Sequence, residues 1–126
     1  MTLGKEERLR GKRKFSNLFE NGHSFLQTPY KVFWIKIAED CPYPVQFAVS
    51  VSKRRFKRAV KRNLLKRRTR EVFRKNKKLL DAAVIEGEQI QMIVIYNSSE
   101  ILSSKDLNDA MIQILQHISN QYVEPA

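Results

Sequence analysis

One segment, from Lys53 to Lys78, carries most of the charge of this 126-residue chain, whose formal net charge is +11. The segment holds fifteen Lys and Arg residues and a single acid, Glu71. Cations packed this densely repel one another, and a solvated surface normally mixes the two signs. A basic tail without structure would lack apolar periodicity, yet this segment keeps apolar residues at helical intervals. The fold must therefore accommodate a helix with a strongly cationic exposed side.

The segment predicts a long amphipathic helix, roughly Arg58 to Leu80. At about 100° per residue, four cations stand above one another at intervals of four. These are Arg62, Lys66, Arg70 and Arg74, with Asn63, Arg67 and Lys77 beside them. The opposite side carries Leu64, Leu65, Val72 and Leu79, and Arg68 interrupts it. The pattern predicts a core side and a polyanion-binding side.

The rest of the chain predicts short helices and strands. Phe15, Leu18 and Phe19 have helical spacing, which predicts a first helix over about Lys12–Glu20, stopped at Asn21-Gly22. Aromatic and β-branched residues predict a strand at Tyr30–Ile37, and alternation of apolar residues predicts one at Val45–Ser52. An apolar run predicts a third strand at Ile90–Tyr96, and a further strand is expected around Phe25. Ser103 and Asp106 resemble a capping box that begins a last helix with its apolar stripe at Leu107, Met111, Ile114, Leu115 and Ile118.

These elements predict an α+β fold, a single-domain α/β sandwich of approximate order α-β-β-(β)-α-β-α. Residues 1–126 are expected to form one RNA-binding domain, with flexible tails at about 1–7 and 121–126. The chain has no Gly/Ser linker, and its only cysteine, Cys41, cannot form an internal disulfide. This single cysteine favours a reducing, cytoplasmic setting. No apolar run is long enough to span a bilayer.

Catalytic and metal-binding patterns are missing from the sequence. His23 and His117 lack Cys, His, Asp or Glu partners at metal-ligand spacing, so surface or core positions are the simpler interpretation. Cys41 has no nearby cation to lower its pKa. No glycine-rich phosphate loop and no HExxH motif occurs. The sequence therefore favours a binding protein over an enzyme that carries its own catalytic groups.

Aromatic residues form a second pattern, and it has two interpretations. Phe15, Phe19, Phe33 and Trp34 could belong to the core, or could stack on single-stranded bases. Lys31 shares the strand face of Phe33, which indicates that this face is not purely core. A basic ribosomal or other structural RNA-binding protein, a stand-alone nuclease and a DNA-binding helix-turn-helix protein are the alternatives. The DNA-binding alternative is disfavoured because no second short helix precedes the basic one.

The basic segment resembles a signature of the bacterial ribonuclease P protein family. The resemblance rests on KRRFKRAVKRNLLKRRTREVFR, residues 53–74, which is similar to the family pattern AVxRNRxKRxxRExFR. Arg8-Leu9, residues 15–22 and residues 49–53 support it, so that it covers roughly Arg8 to Ile118. The sequence departs from the pattern at Leu64, where the family has Arg, and the loop before Ala59 lacks the family's glycine and is longer.

The resemblance implies a left-handed βαβ crossover around the long basic central helix, against the usual right-handed rule. It implies that a partner RNA cleaves the 5′ leader from precursor tRNA with magnesium. This protein is expected to be monomeric outside the complex and to bind no cofactor itself. The implied partners are the catalytic RNA and precursor tRNA.

The predicted site residues fall into two groups. The resemblance implies RNA contacts by Arg62, Asn63, Lys66, Arg67 and Arg70, and the charge pattern extends the set to Lys53, Arg54, Arg55, Lys57, Arg58, Lys61 and Arg74. It also implies that a central cleft for the leader is lined by Phe15, Phe19, Lys31 and Phe33. No catalytic residue and no metal ligand is expected in the protein.

Overall fold

Residues 7–39 and 43–123 are described by a computed structural model. The elements, in chain order, are α1 (Lys12–Asn21), β1 (His23–Gln27), β2 (Tyr30–Ile37), β3 (Val45–Ser50), α2 (Ala59–Asn76), α3 (Lys78–Asp81), β4 (Gln89–Tyr96) and α4 (Ser104–Val123). The predicted mixed α+β fold is confirmed, and the further strand expected around Phe25 is β1. Cys41 lies outside the described residues.

The four strands form one sheet in the order β1-β2-β4-β3. β2 pairs antiparallel with both β1 and β4, whereas β3 pairs parallel with β4. Parallel neighbours need a crossover connection, and α2 lies within the connection from β3 to β4. The predicted βαβ unit is therefore present, and its left hand stays a prediction.

The main core lies between one face of the sheet and the helices α2 and α4. Alternate residues of β2 point into it, beginning with Tyr30 and Val32, both fully buried. The rings of Phe47 on β3 and Phe73 on α2 stack 4.0 Å apart and join the sheet to the basic helix. The apolar stripe of α4 is fully buried at five positions, Leu107, Met111, Ile114, Leu115 and Ile118.

The opposite sheet face carries a smaller, separate cluster. Leu9 and Leu18 pack there against Ile93 of β4, with Phe15 and Phe33 partly buried at its edge. Leu18 is the buried residue of α1, which covers only part of this face. The sheet therefore has a fully packed side and a side that remains partly open.

Helix α1 ends at Gly22, but this glycine does not adopt the left-handed conformation that commonly ends helices. Gly22 is extended, with φ −81° and ψ 167°, and its N–H donates to the Leu18 carbonyl at 2.9 Å. A Cβ on Gly22 would collide with that carbonyl and lie 2.9 Å from the Trp34 carbonyl. The glycine is needed because two backbones approach closely, not because φ is positive.

The basic helix is shorter than predicted. α2 ends at Asn76, and the chain starts a new turn at Lys77, whose carbonyl accepts from the N–H groups of Leu80 and Asp81. Leu80, seven residues after the buried Phe73, is fully buried, whereas Leu79 is 43% exposed. The prediction that Leu79 lies on the core side is therefore wrong, because the buried side of the helix passes through Phe73 and Leu80. β3 likewise ends at Ser50, two residues before the predicted end.

The beginning of α4 follows the predicted cap. The Ser103 hydroxyl accepts the N–H of Asp106 at 3.2 Å, and the Ser103 carbonyl accepts the N–H of Leu107 at 3.0 Å. Helix α4 then continues through Val123. The predicted tail at 121–126 therefore begins inside this helix, and residues 124–126 and 1–6 lie outside the described residues.

Candidate nucleic-acid interface

The loop between β3 and α2 displays five of the predicted RNA-binding cations. Lys53, Arg54, Arg55, Lys57 and Arg58 are all exposed. Phe56 lies between them in sequence but is 5% exposed, because its ring packs in the main core beside Tyr96. The buried ring fixes the middle of the loop, so the charged side chains on either side project into solvent.

Two arginines use their guanidinium groups to hold this loop. Arg62 donates from one nitrogen to the carbonyls of Phe56 and Lys57, at 2.8 Å and 2.9 Å. Arg55 donates to Asn97 Oδ1 at 2.9 Å and to Ser99 Oγ at 3.4 Å, in the loop that follows β4. The loop is thus fixed to α2 at one end and to the β4–α4 connection at the other.

The remaining predicted cations of α2 differ in exposure. Lys61, Asn63 and Arg67 are exposed, whereas Lys66, Arg70 and Arg74 are partly buried. Arg74 forms two hydrogen bonds with the Glu71 carboxylate, and this pair lowers the pKa of Glu71 and raises that of Arg74. All four cations predicted at intervals of four residues lie on α2. Two of them, Arg62 and Arg74, already have hydrogen-bond partners within the protein.

The core side of α2 also departs from the sequence prediction. Leu65, Thr69, Val72 and Phe73 are its buried residues, while Leu64 is only partly buried. The Thr69 hydroxyl shares a 2.7 Å hydrogen bond with the Tyr30 hydroxyl, which explains a polar group in this position.

Arg68, which interrupts the apolar side of α2, donates to the Leu102 carbonyl at 3.0 Å. Leu102 lies just before α4, so this bond ties the basic helix to the start of the last helix. Arg68 therefore has a structural partner at the edge of the core.

The acids of the last third of the chain leave the charge of α2 largely uncompensated. Their recorded ion pairs involve Glu88 with Lys36 and Asp109 with Lys105. Across residues 7–39 and 43–123, the only recorded ion pair of an α2 cation is the one between Arg74 and Glu71. The cationic character predicted from the sequence thus persists on the folded surface.

The predicted cleft residues come together on the partly open sheet face. The Phe15 and Phe19 rings stack at 6.4 Å, and the Phe19 and Phe33 rings meet edge to face at 4.9 Å. Lys31 Nζ lies 5.3 Å from the centre of the Phe33 ring. Phe19 is 45% exposed, so this aromatic surface is accessible from solvent. We call Phe15, Phe19, Lys31 and Phe33 the aromatic surface.

Trp34 does not belong to the aromatic surface. Its side chain is 4% exposed and lies in the main core on the other sheet face, where its ring contacts His23. The alternation of β2 therefore puts Trp34 in the core, whereas Lys31 and Phe33 face α1. Stacking of the other aromatic rings on bases stays a prediction.

A pocket of about 250 Å³ connects the aromatic surface with the basic helix. Phe15 lines it together with Arg70 of α2, and Arg8 and Arg10 contribute from the segment before α1. Sequence reasoning missed Arg8 and Arg10 as site residues. The basic composition of the first fourteen residues was the available signal, but pairing of this segment with β3 had no visible sequence pattern.

Both histidines of the chain are exposed, with His117 against the Phe25 ring at 4.1 Å. Within the described part of the chain, no three His, Cys, Asp or Glu residues are grouped so as to hold a metal ion. The same residues include no helix long and apolar enough to cross a membrane.

A mixed α+β domain that places exposed aromatic rings beside an arginine-rich helix is typical of proteins that bind single-stranded nucleic acid. The comparison with known proteins identifies the family. The chain belongs to the Ribonuclease P family, whose sequence model matches residues 3–119.

Individual relatives support the assignment. The Ribonuclease P protein component of Porphyromonas gingivalis strain ATCC 33277 is 34% identical over 119 residues, which cover 93% of this chain and 86% of that protein. The solved RNase P protein from Thermotoga maritima has a TM-score of 0.71 at 26% identity, with 87% of this chain and 96% of that chain covered. The Staphylococcus aureus RNase P protein, at 22% identity and a TM-score of 0.65, shares the fold, with 89% and 94% covered.

Proposed function

We propose that this chain is the RNA-binding subunit of the ribonuclease P ribonucleoprotein and assists RNA-catalysed removal of the 5′ leader from precursor tRNA. Membership of the family supports the assignment to this ribonucleoprotein. The observation that carries the mechanism is the adjacency of two surfaces: the aromatic surface and the basic helix line the same pocket through Phe15 and Arg70.

The basic helix and its loop supply the contact with the catalytic RNA. The loop cations are held on a backbone fixed by Phe56, Arg55 and Arg62. Prior fixation lowers the entropy lost when the loop binds phosphates. Each engaged phosphate releases counterions, so affinity should fall with salt at a log–log slope of roughly −0.7 to −0.9 per phosphate.

The aromatic surface supplies the contact with the leader. A leader is single-stranded, and its bases offer flat faces to the rings of Phe19 and Phe33. Stacking of this kind is tolerant of sequence because every base has a π-face. Lys31, beside Phe33, would neutralise a phosphate of the same strand.

The chemistry of cleavage belongs to the partner RNA in this proposal. Magnesium is its expected metal, and the protein would act by adding positive charge and holding the substrate. The protein itself is proposed to bind no cofactor. The protein is proposed to be a monomer outside the complex and to work in the cytoplasm, with the catalytic RNA and precursor tRNA as partners.

The test compares cleavage of precursor tRNA by a bacterial ribonuclease P RNA alone and with this protein, at low magnesium. The protein should raise the rate and lower the magnesium concentration needed. A matched precursor with a one-nucleotide leader should gain less, because it leaves the aromatic surface empty. Absence of any gain at every protein concentration would reject the proposal, and cleavage by the protein without RNA would favour a stand-alone nuclease instead.

A further inference from the structure

The segment just before α1 is held on the sheet without forming a regular strand. Residues 7–10, which we call the N-terminal arm, meet β3 through one isolated parallel bridge between Arg8 and Phe47. The N–H of Leu9 donates to the Phe47 carbonyl at 2.9 Å, and the Leu9 side chain is buried in the smaller cluster. The arm also carries Arg8 and Arg10 to the pocket beside the aromatic surface. The attachment of the arm therefore decides where these two arginines lie.

An ion pair fixes the beginning of the arm to the end of the basic helix. Lys77 Nζ donates to Glu7 Oε2 at 2.5 Å, across 70 residues of sequence. The lysine and glutamate side chains are only 27% and 15% exposed, so salt screens their attraction less than that of a surface pair. Removal of one partner would leave the other charge partly buried and uncompensated. The arm is thus held by Lys77 at Glu7 and by β3 at Leu9.

Lys77 differs from the cations that the helical pattern places on the polyanion-binding side. It lies at the junction of α2 and α3, where its carbonyl accepts the N–H groups of Leu80 and Asp81. The Asp81 carboxyl is close to both members of the ion pair: burial raises its pKa, Lys77 lowers it, and Glu7 raises it. Two carboxylates therefore face the Lys77 ammonium, and its charge is compensated inside the protein.

We infer that Glu7 is a positioning residue for RNA binding: through its ion pair with Lys77 it holds the N-terminal arm on β3, so that Arg8 and Arg10 are presented to RNA. Lys77 serves this attachment and does not itself contact RNA. The role in RNA binding rests on the proposed function, whereas the attachment of the arm does not.

The sign of one effect distinguishes positioning from net charge. An acid on the surface of a polyanion-binding protein weakens binding through its charge alone, so its neutralisation should strengthen binding. Neutralisation of a positioning acid should do the opposite, because the arginines of the detached arm lose their fixed places and must be ordered again on binding.

The first experiment measures hydrogen exchange of the Leu9 N–H by NMR in the free protein. Exchange requires the bond to the Phe47 carbonyl to open, so it reports detachment of the arm. Glu7→Gln and Lys77→Gln should each accelerate it about tenfold, the value of one charge-assisted hydrogen bond. The matched controls, Glu86→Gln and Lys78→Gln, make the same changes of charge at exposed residues.

Glu86 and Lys78 have no recorded ion pair within the described ranges, so both control variants should exchange the Leu9 N–H at the wild-type rate. Unchanged exchange in Glu7→Gln would overturn the attachment. Equal acceleration at Val94, on the strand between β2 and β3, would indicate general destabilisation and would overturn it as well.

Exchange of the two charges provides a rescue. The double variant Glu7→Lys with Lys77→Glu keeps the net charge and restores an attractive pair. Its Leu9 N–H should exchange more slowly than in either single variant, and absence of this rescue would argue that the residues act separately.

The second experiment measures binding of a single-stranded leader oligonucleotide at fixed ionic strength. Glu86→Gln should bind at least as tightly as wild type, because it removes a negative charge. Glu7→Gln makes the same change of charge but should bind about fivefold more weakly, since the two arginines lose part of their charge-assisted contacts. Tighter or unchanged binding by Glu7→Gln would overturn the positioning role.

The two experiments separate this inference from the proposed function. Faster Leu9 exchange in Glu7→Gln, with no binding of the oligonucleotide by wild type, would keep the attachment and reject the leader-binding function. Circular dichroism checks that the variants fold. If Glu7→Gln is unfolded, Lys77→Gln carries both experiments against Lys78→Gln, since it removes the same ion pair from the other side and should bind the oligonucleotide more weakly than that control.

Discussion

The guanidinium of Arg62 on α2 donates a 2.8 Å hydrogen bond to the backbone carbonyl of Phe56, a residue buried in the core before the helix begins. A second bond reaches the carbonyl of Lys57. An arginine expected to face RNA thus also braces the loop that displays its neighbours. The brace matters because the loop carries adjacent cations whose repulsion favours opening.

Replacing Arg62 by Gln should loosen this loop. The variant loses charge-assisted hydrogen bonds worth about 1–3 kcal/mol in total. Trypsin should therefore cleave after Lys57 and Arg58 faster in the free variant than in wild type. Arg58→Gln is the control, since Arg58 is exposed and makes no capping hydrogen bond. It should weaken RNA binding without faster cleavage after Lys57, and equal cleavage rates in the two variants would argue against the brace.

Replacing Phe19 by Ala should weaken binding of precursor tRNA without destabilising the fold. Phe19 is 45% exposed, so its truncation should change the free energy of unfolding little, while each lost stacking contact costs about 1–3 kcal/mol. We expect precursor tRNA with a leader to bind more weakly and mature tRNA to bind unchanged. Leu18→Ala, one residue earlier and fully buried, should instead destabilise the fold by about 2–5 kcal/mol. Similar losses for precursor and mature tRNA in the Phe19 variant would exclude a leader contact.

Replacing Gly22 by Ala should destabilise the junction of α1 and β1. The added Cβ would collide with the Leu18 carbonyl and crowd that of Trp34, and relief requires a backbone shift. Overpacking of this kind costs about 1–3 kcal/mol. Gly87→Ala is an informative comparison, because Gly87 has φ +87° but open space around its Cβ, so that only backbone strain opposes the change. Thermal unfolding measures both variants, and an unchanged melting temperature for Gly22→Ala would contradict the close approach.

The buried tyrosine Tyr30 should make the protein sensitive to alkali. Burial raises the pKa of Tyr30 well above its ordinary value, which the hydrogen bond with Thr69 only partly offsets. Because the folded-state pKa is higher than the unfolded one, the stabilisation is fully present below about pH 10 and is lost as pH rises above it. The free energy of unfolding should fall by up to about 1.4 kcal/mol per pH unit for this group.

The comparison for this effect is Tyr30→Phe, measured by denaturant unfolding between pH 8 and pH 11. The variant should lose less stability across this range than wild type. A slope that is the same in both proteins would assign the alkaline sensitivity to Tyr96 and Tyr122, whose pKa values are also raised by burial.

Most of the element order could be predicted from sequence because the signals are local. Alternation in β3 and the apolar run of β4 are visible in the sequence because they follow from burial of the sheet faces. The cap at Ser103 is visible because it needs only one side chain and the N–H group three residues later. The end of α2 could not be predicted, since Lys77 gives no breaker signal. The burial of Leu80 in place of Leu79 depends on packing in the main core, which the sequence does not display.

The sequence predicted which residues lie together in the candidate site better than it predicted the hydrogen bonds that they make. Helical spacing placed Phe15 and Phe19 on one side of α1, and strand parity placed Lys31 with Phe33. Partners such as Leu102 for Arg68, or the loop carbonyls for Arg62, come from segments that only tertiary folding brings near. The same holds for Arg8, which reaches Arg70 because an N-terminal segment adds to the edge of β3.

The two faces of the sheet pack against separate clusters of side chains. Trp34 and its neighbours in the main core share no side chains with the cluster around Leu18 and Phe33, although both sets alternate along the same strand. Exchange of residues on the aromatic side would therefore leave the helices on the other side in place. Descendants of such a chain could therefore change the residues exposed beside α1 while inheriting an unaltered scaffold.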